Sequence, residues 1–167
     1  MNAARPDGME MRFPGAQRGG LEVELAGLLA DMGDEVAQSV KAFTAILRTS
    51  APAADPAARI ERIAALEQAR AVLAAAQLAE EVAFAEQQRA EQLASGVPAS
   101  KLGRGIAEQI GFARRISPVA ASRHVGLAVT LRDRLPEAFK QLWAGAVSED
   151  QCAILANRTS HLTDTDA

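Results

Sequence analysis

Apolar residues recur three and four positions apart along most of this chain. Leu25, Leu29, Met32, Val36, Val40, Phe43 and Leu47 make one stripe, the signature of an amphipathic helix. Gly33 interrupts it and Asp34 offers a fresh cap, so the stretch reads as either one helix or two. Thr49 to Ala54 reads as a linker. Asp55-Pro56 then pairs an N-cap acceptor with a proline suited to the first helical turn. Helical composition continues from there to Ala94, where Ser95-Gly96-Val97-Pro98 stops it. A helix over about 56–94 would be roughly 58 Å long. A compact domain of this size spans only about 40 Å. The helix must therefore project, break, or pair with another chain. Its large residues, Ile60, Ile63, Leu66, Leu73, Leu78, Val82, Phe84 and Leu93, keep no single seam, which points away from a strict coiled coil.

Shorter helices follow. One is expected over Lys101 to Arg115, loosened by Gly103, Gly105 and Gly111. Ser117-Pro118 starts the next, which ends near Arg134, and Leu135-Pro136 starts another that Gly145 closes. Ser148 with Gln151 forms a capping box for a helix reaching about Thr159. Thr163 with Asp166 resembles a further box in which no helix follows, so the chain reads as truncated at its C-terminus. The expected fold is all-α: a helical array with one long central helix followed by several short capped helices. Residues 1–20, rich in Gly and Pro, read as a flexible leader, and 21–167 as a single helical domain.

Composition supports the class. Ala alone supplies about a fifth of the chain, Tyr is absent and there is one Trp. Ala favours helices that approach closely but buries little area per residue. Net charge is −3, yet unevenly spread. Residues 1–100 carry nine Lys/Arg against fourteen Asp/Glu, residues 101–140 eight against three, and residues 141–167 one against four. The lone Cys152 excludes an intrachain disulfide and suits a reducing cytoplasm. The N-terminus lacks the apolar core of a secretory signal, and no apolar run approaches a membrane span.

Several runs resemble one family. They are Arg59-Ile60-x-x-Ile63-Ala64-Ala65-Leu66-Glu67, Gly105-Ile106-Ala107-x-x-Ile110, and Ala113-Arg114-Arg115-Ile116-Ser117-Pro118. Ala121, Arg123, Leu127-Ala128, Leu131, Leu135-Pro136, Leu142, Ala144-Gly145, Ser148, Ala153 and Leu162 continue the pattern. From about Glu35 to Asp166 the chain resembles the N-terminal half of domain of unknown function 222, found in the actinobacterial 13E12 repeat proteins. The resemblance implies association with a C-terminal HNH nuclease domain, whose clustered His, Asn and Cys residues bind a metal and cleave DNA. Only His124, His161 and Cys152 stand here, without a Cys or His pair, so nuclease activity does not transfer.

The candidate chemistry is a helix–turn–helix in the basic block. Residues 106–111 would be the first helix and its turn, and residues 117–125 the second. Ser117, Ser122 and Arg123 suit phosphate and base-edge contacts. Lys101, Arg104, Arg114, Arg115, Arg132 and Arg134 would add electrostatic footing. The connection from Gly111 to Ser117 is longer than the usual three or four residues. That length favours the plainer reading of two antiparallel helices with a solvated basic face.

Other features have plain readings. His124 has no carboxylate at helical spacing to orient it and reads as a partly exposed helical residue. Cys152 reads as a small buried hydrophobe, and Trp143 as a core anchor. Glu80, Glu81, Glu86 and Glu91 read as a solvated face. Gly103-x-Gly105 lacks the strand and the Lys-Ser/Thr of a phosphate loop. No cofactor, metal site, membrane contact or small-molecule substrate is expected, and no pair of titratable groups stands in a recognisable catalytic arrangement. The chain reads as a non-catalytic helical module. It is DNA-associated through residues 101–134, as the targeting half of a mobile-element nuclease, or an interaction module that self-associates through the long helix, or a remnant without independent activity.

Overall fold

Asp55 and Pro56 launch the dominant element. In the computed structural model, which describes residues 35–161, the Asp55 carboxylate accepts a hydrogen bond from the Ala58 N–H at 2.9 Å. Pro56, whose missing N–H costs nothing at the first turn, opens an unbroken 39-residue helix, Pro56–Ala94. Gly96, at φ 77°, ends it. The Gly96 and Val97 N–H groups return to the Leu93 and Gln92 carbonyls and satisfy the last turn.

The chain divides between Pro52 and Ala53, inside the expected linker. The first unit is described through the helix 35–49, named α1, on which Val36, Val40, Phe43 and Leu47 are exposed. Residues 21–34, with the question of one helix or two, lie outside the described residues, as do the leader and the box at Thr163.

The second unit holds Pro56–Ala94 (α2), Ile106–Arg114 (α3), Pro118–Asp133 (α4), Pro136–Trp143 (α5) and Glu149–Thr159 (α6), with a single 3-10 turn over Ala99–Lys101. The all-α class and the long helix followed by short ones are what the apolar spacing predicts. Proline opens α4 and α5. The Ser117 hydroxyl caps α4 by accepting from the Ala120 N–H at 3.2 Å. At α6 both halves of the Ser148–Gln151 box form, at 3.2 and 2.8 Å.

Ala71, Ala74, Ala75, Leu78, Val82 and Ala85 form the buried stripe of α2. One core cluster sets Ala71, Ala75, Leu78 and Val82 against Ala128 and Leu131 of α4, Leu142 of α5 and Cys152 of α6. The second sets Ala85 against Ile106 and Ile110 of α3 and Ala121 and Val125 of α4. Helices α2 and α4 run through both clusters and so join them. Before Ala71 no residue of α2 is buried, and Ile60, Ile63 and Leu66 are exposed.

Two expectations change. The helix anticipated from Lys101 starts only at Ile106, because Gly103 and Gly105 both adopt left-handed backbone, at φ 82° and 84°. That loop is held by Gln92, whose side-chain carbonyl accepts from the Gly103 N–H at 2.7 Å and whose amide donates to the Arg104 carbonyl at 3.0 Å. Trp143 is not a core anchor. It is 44% exposed and touches Phe139 at the surface, while its neighbour Leu142 is fully buried. An eight-residue helix offers the core one edge, and Trp143 lies about 100° around from it.

Gly145 closes α5 at φ 71°, where a Cβ would collide with the Gln68 side chain and stand 3.1 Å from the Gln68 carbonyl oxygen. Gly96 shares the left-handed backbone but faces open space. Gly145→Ala should therefore lower stability by about 3 kcal/mol and Gly96→Ala by about 1 kcal/mol. Chemical denaturation of the two variants checks the difference.

Candidate nucleic-acid interface at the α3–α4 corner

The turn between α3 and α4 is shorter than the sequence suggests. Gly111 does not end α3. The helix continues to Arg114, and only Arg115, Ile116 and Ser117 connect it to α4. This three-residue connection has the length of a helix–turn–helix, so the objection raised by the spacing falls. Gly111 serves packing instead. A Cβ there would stand 2.9 Å from the Ile116 carbonyl oxygen and 3.4 Å from the Pro118 nitrogen. The bare glycine lets the start of α4 fold closely against α3.

Arg115 is the one described non-glycine residue with positive φ, at 60°. It occupies the left-handed position after a helix that glycine usually fills. Its N–H donates to the Phe112 carbonyl at 3.2 Å, and the Ile116 N–H donates to that of Gly111 at 2.9 Å. The guanidinium is exposed and has no partner among the described residues.

The nine candidate residues divide by role. Arg114 turns inward, where its guanidinium meets the Glu81 carboxylate at 2.5 Å. Glu81 is only 6% exposed, which corrects its reading as a solvated residue, and its second oxygen is buried without a partner among the described residues. Arg132 bonds Glu86 at 2.6 Å and Asp133 at 2.7 Å. Its hydrogen bond holds the Asp133 carboxyl below the usual carboxylate range. Arg134 is half-buried and already has an interaction.

Arg115, Ser122 and Arg123 are exposed near the corner, with Ser117 as the helix cap. Val119, Ser122, Arg123 and Gly126 share the solvent face of α4, opposite the buried Ala121, Val125 and Ala128. Lys101 and Arg104 are exposed too, but at the far end of α3, about 13 Å away along its axis. The basic block is thus two separate cationic sites plus three arginines used within the fold.

Tertiary packing adds contacts that spacing could not foresee. His124 Nδ1 lies 2.7 Å from Glu149 Oε1, so α6 supplies the carboxylate absent at helical spacing. Phe112 was also missed. With the helix starting at Ile106, it falls opposite Ile106 and Ile110 and is 89% exposed. Cys152 is buried as expected. Its thiol pKa is raised by burial and then by the Glu149 charge, and its Sγ faces the Ala138 carbonyl at 3.8 Å.

No group of three His, Cys, Asp or Glu able to hold a metal occurs among the described residues, and none of their helices is long and apolar enough to cross a membrane. A cleft of about 290 Å³ lies between α2 and the α5–α6 turn, lined by Glu67, Ala71 and residues 145–148 with Gln151. It contains no arrangement of acid, base and nucleophile.

The described residues are helical, and α3 and α4 meet at a three-residue turn with exposed arginines nearby. The chain belongs to the family described as domain of unknown function (DUF222), whose profile matches residues 63–167. That span takes in most of α2 and all of α3 to α6, starting at Ile63 rather than Glu35. No curated protein and no solved structure matches the chain.

Arg114 and Arg115 should respond oppositely to substitution. Arg114→Leu leaves a buried carboxylate unpaired and should cost about 3 kcal/mol. Arg115→Gly relieves left-handed strain and should stabilise by about 1 kcal/mol. Denaturant midpoints of the two variants against the parent give the signs.

Proposed function

We propose that this chain is a non-catalytic helical module that associates with DNA through the α3–α4 corner. One observation carries the reading. Arg115 stands in a three-residue turn between two packed helices and Arg123 on the solvent face of the second, both exposed and without partners among the described residues. Cations in this state are available to phosphates, whereas Arg114 and Arg132 are held in ion pairs. Arg115 also keeps a conformation that glycine would adopt more cheaply, and such strain gathers where a side chain serves a purpose outside the fold. Family membership supports a place beside an HNH-type nuclease of the 13E12 repeat kind and, with it, a mobile-element setting in the cytoplasm. In that arrangement this module positions DNA and the nuclease domain cleaves it.

The full chain should bind duplex DNA with an affinity that falls steeply with salt. Arg115→Ala and Arg123→Ala should each flatten the slope of log K against log salt by about 0.9. A mobility shift absent at low salt with both duplex and single-stranded DNA, or slopes unchanged in both variants, would refute the reading.

A second reading rests on α2. Ile60, Ile63 and Leu66 are 67%, 61% and 41% exposed on its first turns, enough apolar surface to pair with another copy. Sedimentation should then show a concentration-dependent oligomer that Ile63→Glu abolishes. A strictly monomeric mass across a wide concentration range would refute it.

A further inference from the structure

At 89% Phe112 is the most exposed large hydrophobic among the described residues, ahead of Ile60 at 67%. Phe84, by contrast, packs against the second core cluster. A ring of this size can bury about 150–250 Å² on a partner. Its position is well defined. Gly111 lies against the start of α4, and the Arg115 N–H bonds to the Phe112 carbonyl. Arg115, exposed and without a partner among the described residues, follows Phe112 by three residues, and Arg123 lies about one and a half turns into α4. Glu108, one turn before Phe112 on the same face, is the one acidic residue between Lys101 and Arg123, and the exposed Lys101, Arg104, Arg115 and Arg123 outnumber it, so the balance favours an anionic occupant.

We propose that Phe112 is a stacking platform for an unpaired nucleobase, and that the corner prefers single-stranded to duplex DNA. The proposal rests on the DNA-association reading and specifies the form of DNA bound. The physical reason is complementarity. A phenyl ring has no group with which to read a base edge, and in a duplex the base faces are already stacked. A single strand offers those faces alongside its phosphates, the combination that aromatic and cationic side chains bind together. Because Phe112 is 89% exposed, replacing it leaves the fold intact.

The test measures binding of the full chain to a mixed-sequence oligonucleotide as a single strand and as its duplex, at the same salt. Heparin serves as a base-free polyanion. The single strand should bind at least about tenfold more tightly than the duplex. Phe112→Ala should weaken single-strand binding by about 5- to 100-fold without altering the salt slope, and Phe112→Trp should restore it. A 2-aminopurine in the strand should lose fluorescence on binding to the parent and not to Phe112→Ala. Duplex binding that depends on Arg115 and Arg123, with Phe112→Ala indifferent on the single strand, would overturn the stacking proposal and leave the DNA reading standing. Equal binding of heparin and single strand, both indifferent to Phe112→Ala, would overturn it as well. No binding of either DNA form at low salt would overturn both.

Discussion

Close approach along the alanine stripe of α2 is the constraint on which the second unit depends. Ala71, Ala74, Ala75 and Ala85 present almost no side-chain bulk, so α3, α4, α5 and α6 can pack along one helix. Small residues bury little apolar area, and at about 25 cal/mol per Å² such a core is modest. Correct spacing must therefore be secured by other means. Gln92 holds the loop before α3, the buried Glu81–Arg114 pair fixes the end of α3 to α2, and Gly145 lets the α5–α6 turn approach Gln68. These contacts give geometry more than energy, since a buried ion pair is worth little net while its half-removal is costly.

The same constraint sorts the arginines. Left-handed Gly105 before it and left-handed Arg115 after it leave α3 nine residues long, and its last turn must serve both packing and solvent. Arg114 and Arg115 are adjacent in sequence, yet one faces Glu81 and the other faces water, because the chain turns left-handed between them. A basic block counted along the chain is therefore a poor guide to a basic surface. Arg132 and Arg134 are occupied, while Arg115 and Arg123 remain exposed.

Much of the architecture was legible because it rests on local chemistry. Asp55-Pro56, Ser117-Pro118 and the Ser148–Gln151 box act within one turn of backbone, and each works as its residue types dictate. The errors arose where local signals compete. Glycine can end a helix or permit close packing. Gly111 does the second, though its sequence suggests the first, while Gly103 and Gly105 delay a helix that composition would start earlier. Trp143 shows a similar limit, since size argues for burial but position on the helix decides it.

By itself the sequence determined the helical class, the starts of α2, α4, α5 and α6, and the family, because caps, prolines and apolar spacing act over a few residues. Only the tertiary structure decided which charges are available. Whether Glu81 is solvated or buried, whether His124 has a carboxylate beside it, and whether Phe112 faces core or water all depend on how helices distant in sequence pack. The candidate surface is made of such outcomes: side chains left exposed after the helices have closed on alanine.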